Sequence, residues 1–124
     1  LNAHRIAKST RRVVGADQQM DGRGWRNVQD DGGWTPLHFA AANTSLEIVE
    51  YLIAAGCSID PQNLHGNSPL STAVFTSRGN GAIIIVLRSA GASAHLANKN
   101  GVSPLKLART IANFPVSQFF QDLS

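Results

Sequence analysis

Four histidines, one cysteine and eight acidic side chains are the groups of this 124-residue chain that could take part in chemistry. A protein-bound metal needs several of them at ligand spacing, and His4, His38, His65 and His95 show none with Cys57. General acid–base catalysis needs a paired acid and base, and no such pair is visible among Asp30, Asp31, Glu47, Glu50, Asp60 and Asp122. Gly22-Arg23-Gly24 lacks the preceding strand and following helix of a phosphate-binding loop. No Gly-x-Ser-x-Gly nucleophile motif occurs. The expectation is a protein that is not an enzyme, with no catalytic, cofactor-binding or metal-binding residues. One group still asks for an account: His38, four residues after Trp34 in "GGWTPLHFAAANTSLEIVEYLIAAG".

That stretch recurs, so the elements around His38 decide its reading. Gly33-Trp34-Thr35-Pro36-Leu37 returns as Gly66-Asn67-Ser68-Pro69-Leu70 and as Gly101-Val102-Ser103-Pro104-Leu105, at offsets of 33 and 35 residues. Ala55-Gly56-Cys57-Ser58 returns as Ala90-Gly91-Ala92-Ser93. In each copy a hydroxyl residue stands before proline: the hydroxyl caps free backbone N–H groups, and proline fits the first helical position without losing a bond. Leu37, Ala40 and Ala41 give a short helix with small residues for close stacking. Leu46, Ile48, Val49, Leu52 and Ile53 give a second at helical period, leaving Glu47 and Glu50 to water. Gly56 ends it, and "CSIDPQNLHGN" is a turn-rich connector. Each unit is helix, turn, helix and projecting loop, and none could bury its apolar face alone.

A period of 33 with Thr-Pro-Leu-His-x-Ala resembles the ankyrin repeat family over residues 30–124. The resemblance implies an all-α solenoid of three units, 30–62, 63–97 and 98–124, with a partial cap from a degenerate N-terminal repeat in residues 1–29. It implies that His38 hydrogen-bonds around the helix start and holds the Thr-Pro turn; Ser71 and Lys106 occupy that place in the other copies. "SPLSTAVFTSRGNGAIIIVLRSAGASAHLANKNGVSPLKLARTIANF" is similar to small stand-alone bacterial ankyrin proteins, some of which look like immunity proteins encoded beside secreted toxins.

With 43% hydrophobic and 15% charged residues, the chain has the apolar material for one folded domain. No apolar run approaches the roughly 18 residues of a membrane span. Cys57 is alone and calls for no oxidising compartment, so a cytoplasmic monomer is expected; Leu1 is no initiator, which leaves a removed secretion signal and a periplasmic location open. Residues 1–27 carry six Lys or Arg against Asp17 and Asp21, a net +4, while residues 28–124 sum to −1. Such a segment can seek nucleic acid or an acidic protein, or form a solvated helix face. In it, Ile6, Ala7, Val13 and Val14 make a modest apolar stripe, and Gly15-Ala16-Asp17 resembles the end of an ankyrin repeat. "QQMDGRGWRNVQ" follows, longer than the usual connector: either a looped-out insertion separates the cap from the stack, or the cap folds differently.

The second unit departs from the first. Pro36 to Gly56 spans 20 residues and Pro69 to Gly91 spans 22, placing two inserted residues near "FTSRGNGA". An insertion in a solenoid lands on one edge, as a functional loop or as neutral variation. The third unit ends with a helix expected from Pro115, "PVSQFFQDLS", in which Phe119 and Phe120 either seal the core or stand exposed as a partner-binding pair, and Ser117, Gln118, Gln121 and Asp122 face water.

The resemblance implies a protein–protein interaction module: an immunity protein binding a toxin domain, or a regulatory or scaffold subunit bound to one cellular partner. Nucleic-acid binding through residues 5–26 is a third reading. Ankyrin proteins contact partners through loop tips and the open positions of the first helix. Mapped by phase, these are Asp31, Trp34, Ala42 and Asn43; Leu64, His65, Asn67, Phe75 and Thr76; and Lys99, Asn100, Val102 and Thr110, joined by Arg78 and Asn80 from the inserted loop. Trp34 is an anchor or packs sideways on a neighbouring loop; Phe75 is an anchor or closes over the insertion.

Overall fold

Thr35, Ser68 and Ser103 all adopt extended backbone, and each turns its side-chain oxygen onto the backbone N–H three residues on, at His38, Ser71 and Lys106. Three helices start from these caps, each with proline in its first turn: α1 Pro36–Ala42, α3 Pro69–Thr76 and α5 Pro104–Thr110. Two more alternate with them, α2 Leu46–Ala54 and α4 Ala82–Ser89, whose ends turn at Gly56 and Gly91 with φ of 88° and 103°. Short 3-10 turns, Gly24–Asn27 and Ser117–Phe120, flank the set. The structure, a computed structural model, describes residues 24–111 and 116–123. It is all-helical among those residues, with no strand. Residues 1–23 of the expected N-terminal cap and linker, with the basic residues Arg5, Lys8, Arg11, Arg12 and Arg23, and Pro115 lie outside the described residues.

The packing follows the repeat. α1 packs on α3 and α3 on α5, forming an inner row; α2 packs on α4, forming an outer row. Leu37, Leu70 and Leu105 occupy one phase of the inner row and are all buried, with Ala40, Ala41, Ala73, Val74 and Ala108 letting the helices approach closely. The outer row buries Ile48, Val49 and Leu52 from α2 and their 35-residue equivalents Ile83, Ile84 and Leu87 from α4. Glu47 and Glu50 are exposed, as their phase requires. Burial pushes the Cys57 thiol up to about 11, leaving it a neutral member of this core.

The inserted residues lengthen one turn. Three residues, 43–45, join α1 to α2, while five, 77–81, join α3 to α4. Ser77 donates to Val74 O, and Asn80 Oδ1 accepts from Ala82 N at the start of α4. Gly81 is left open for another purpose: the Phe119 ring lies against it, where any Cβ would collide.

The last element is shorter than the helix expected over 115–124. It is a single 3-10 turn, Ser117–Phe120, with a further turn at 121–122. An α-helix would need the Phe119 carbonyl for the amide four residues on. Here Leu123 N turns back to Phe120 O, and Arg88 Nη1 donates to the Phe119 carbonyl at 2.9 Å. Phe120 does seal the core, fully buried beside Val116, while Phe119 is half-buried against Gly81. Asp122 is exposed but engaged: it takes both Nη atoms of Arg88, at 2.6 and 2.7 Å, and Arg88 also stacks over Phe120 at 5.2 Å.

Candidate functional site

The three projecting loops are built alike, from residues the repeat places three positions before each glycine. Asp30 Oδ1 accepts from Gly32 N and Trp34 N, Asn63 Oδ1 from His65 N and Asn67 N, and Asn98 Oδ1 from Asn100 N and Val102 N, all at 2.9–3.0 Å. Each carboxylate or amide oxygen closes its loop from within. The loops also bind one another. Leu64 N donates to Gly32 O at 2.9 Å and Lys99 N to His65 O at 3.0 Å. Gln29 Nε2 bridges Gly33 O and Gln62 O, and Gln62 Nε2 repeats the bridge to Gly66 O and Ala97 O. Gly33 and Gly66 sit where the loops touch, at φ of 79° and 80°, and a Cβ on either would fall 2.8 Å from the next loop's backbone nitrogen.

His38 links two units. Its Nδ1 accepts from Thr35 N at 3.1 Å, with the Thr35 hydroxyl 3.0 Å away. An accepting Nδ1 leaves the proton on Nε2, which donates to Asn67 O at 2.8 Å in the next loop. Burial holds its pKa below the ordinary histidine value, against the pull of the Asn67 carbonyl and of Asp30. The side chain is wholly enclosed and neutral, holding its own turn and also tying the first unit to the second. Asn98 Nδ2 to Asn67 Oδ1, Thr76 Oγ1 to Ala41 O and Ser93 N to Asp60 Oδ2 add further ties.

Between this braced row of loops and the inner helices lies a groove of about 490 Å³. Trp34, Asn67 and Val102 reach it from the loops, and Ala42, Thr72, Phe75, Thr76 and Leu107 from the helices. Phe75 is 73% exposed, so its ring does not close over the insertion. It borders both this groove and a second hollow of about 540 Å³ at the helix-turn edge, lined by Thr44, Leu46, Arg78 and Asn80 among others. Trp34 is half-buried and tilts against His38 and Phe39 of its own unit, centroids 5.6 and 5.3 Å away, and it lines the groove together with Asn63 and Asn67 of the next loop.

Of the residues picked by phase, the groove gathers Trp34, Ala42, Asn67, Phe75, Thr76 and Val102, and the second hollow adds Arg78 and Asn80. Asp31, Leu64, His65, Lys99 and Asn100 stand exposed at the loop tips, and Asn43 and Thr110 are exposed near the ends of α1 and α5. Ser71, Thr72 and Leu107 also line the groove and were not among the positions expected. The loop-closing Asp30, Asn63 and Asn98 and the bridging Gln29 and Gln62 were missed too, though they repeat at the same offsets. Among the described residues no three His, Cys, Asp or Glu side chains converge as metal ligands would. Apolar rings, amides and hydroxyls on a stiff frame can recognise a surface by shape and hydrogen bonding.

Stacked helix pairs, capped by Ser/Thr-Pro and joined by hydrogen-bonded loops, define a solenoid repeat protein. A family profile described as "Ankyrin repeats (3 copies)" matches residues 13–98, more than half of the chain, and the protein belongs to the ankyrin repeat family. The chain is similar to NF-kappa-B inhibitor alpha of Gallus gallus, 43% identical over 47 residues, covering 38% of this chain and 15% of that protein. It is similar to human Rabankyrin-5, 30% identical over 95 residues, 75% of this chain and 8% of that protein. Human SH3 and multiple ankyrin repeat domains protein 2 is 24% identical over 94 residues, 76% of this chain and 5% of its own. The chain thus spans at most 15% of these relatives. Ankyrin repeats mark a protein–protein interaction module. No helix among the described residues is long and apolar enough to cross a membrane.

Proposed function

We propose that this chain works without catalysis, as a monomer that holds a protein partner in the groove between its loops and inner helices. Phe75 carries the reading: an aromatic ring 73% exposed, on the central unit, at the ridge between two hollows, on a frame braced from both sides. A ring so placed adds nothing to its own core, whereas aromatic residues supply a large share of interface energy. Trp34, half-covered at the other end of the groove, is the second anchor.

The specific form proposed is neutralisation of a cognate toxin domain, and its support is the resemblance read from the sequence of residues 68–114 alone. A regulatory or scaffold subunit is the second reading, supported by the similarity to a protein named as an inhibitor of another. The test is affinity for the product of the neighbouring gene, measured for the parent and for Trp34→Ala and Phe75→Ala. An anchor should cost about 2 kcal/mol or more, roughly thirtyfold in Kd, with the circular dichroism spectrum unchanged. Toxin neutralisation in that assay favours immunity; a bound metabolic or signalling protein favours the regulator. If both variants fold and bind as tightly as the parent, the groove is not the binding face.

A further inference from the structure

Three tips of equivalent phase, Asp31, Leu64 and Lys99, form an exposed row beside the groove, reading acidic, apolar and basic. The backbone bonds from Leu64 N to Gly32 O and from Lys99 N to His65 O fix them in register. The wider charge follows the same order. Residues 30–62 hold five acids and no Lys or Arg, while residues 63–124 hold five Lys or Arg and one acid, Asp122, already paired with Arg88. The near-neutral sum over the repeats therefore hides a separation of charge along the stack. Among the described residues that Arg88–Asp122 contact is the one ion pair, and the Asp31 and Lys99 side chains have no charged partner among them. Between the two ends of the row the groove is lined by Trp34, Phe75, Leu107 and Val102.

We infer that the groove takes a peptide segment of its partner with basic residues over Asp31, apolar residues at the centre and acidic residues over Lys99. The inference rests on the groove being the interaction face. A segment of one charge sign throughout would be repelled at one end, and like charges brought together set specificity more strongly than attraction sets affinity. Stacked helices lie about 8–10 Å apart, so two steps separate the charged tips by roughly 18 Å. That distance is about five or six residues of extended chain, or about twelve of helix.

The test selects phage-displayed random peptides on the whole chain and repeats the selection on Asp31→Lys, Lys99→Glu and Phe75→Ala. Peptides enriched on the parent should pair a basic with an acidic residue across an apolar centre, at one of those two spacings. Asp31→Lys should shift enrichment to peptides acidic at both ends, and Lys99→Glu to peptides basic at both ends. The doubly swapped variant should recover mixed peptides, because a segment can lie in either direction. Each single swap should weaken a parent-selected peptide about two- to fivefold, as for an exposed ion pair, and about 0.5 M salt should erase the difference. Peptides that lose binding in Phe75→Ala but ignore both charge swaps would overturn the charge order and leave the groove as the site. Peptides indifferent to Phe75→Ala, or no enrichment at all, would overturn both.

Discussion

At His38 both ring nitrogens are engaged inside the fold, Nδ1 accepting from Thr35 N and Nε2 donating to Asn67 O; a second ring proton would leave the Asn67 bond in place but cost Nδ1 the bond from Thr35 N and put a charge in a buried site. The sign of the resulting pH dependence follows. Above about pH 6.5 the ring is neutral in both folded and unfolded chains. Below it the unfolded chain takes a proton that the folded one resists, because burial lowers the folded pKa. Stability should therefore fall as pH drops below about 6.5, by up to about 1.4 kcal/mol per pH unit from this one group, until the lowered pKa is reached. Asp60 works in the opposite sense, its carboxyl held above the usual range by burial, so the comparison must isolate the imidazole. Urea unfolding of the parent and of His38→Gln, at about pH 7.5 and pH 5, does so; equal slopes for the two proteins would refute the account. The turn-holding role was legible from Thr-Pro-Leu-His, but the bond to the next unit was not, since nothing in local sequence points 29 residues ahead to a carbonyl. The loop-closing Asp30, Asn63 and Asn98 went unread although they stand three residues before each repeated glycine, because two of them are amides where the first is an acid.

Among the elements, the middle inner helix carries most of the packing, since α3 meets α1 on one side and α5 on the other. Leu70 on α3 is wholly buried, and Leu70→Ala should cost about 2–5 kcal/mol through lost transfer energy and the cavity left behind. Chemical denaturation measures it, and a loss below about half a kcal/mol would place Leu70 outside the core. The turn from α3 to α4 makes a different prediction. Gly81 has ordinary negative φ of −90°, so backbone strain does not require a glycine; the Phe119 ring does. Gly81→Ala should cost about 1–3 kcal/mol by overpacking, and adding Phe119→Ala should recover part of it. If Gly81→Ala melts with the parent, the ring does not rest there. Inner and outer helices were readable because proline, hydroxyl and glycine punctuate them at a constant period. The terminal element was not: it is tied to α4 by Arg88 donating to the Phe119 carbonyl, and a contact spanning 31 residues leaves no local pattern.

Over the whole molecule, each unit is stabilised by its own packing and by its neighbours, so stability is a sum of unit and nearest-neighbour terms. The middle unit shares two interfaces, while the third has described neighbours on one side only, its outer helix replaced by the 3-10 turn at Ser117–Phe120. Equivalent leucines should then fail differently. Leu70→Ala removes packing from an interface on which every described helix of the inner row depends, so it should weaken α1, α3 and α5 together. Leu105, also buried, belongs to the end. Leu105→Ala should lower the opening free energy of α5 by about 2–5 kcal/mol, speeding exchange there by roughly thirtyfold or more, and should leave α1 and α2 close to their parent values. Native-state hydrogen exchange resolves the two, reading amides such as Val49 and Leu107, which donate to Ser45 O and Ser103 O near the starts of α2 and α5. Uniform acceleration of both amides in Leu105→Ala would mean that the stack opens as one cooperative block. The loop-to-loop bonds and the His38 tie would then couple the units more tightly than nearest-neighbour packing alone provides.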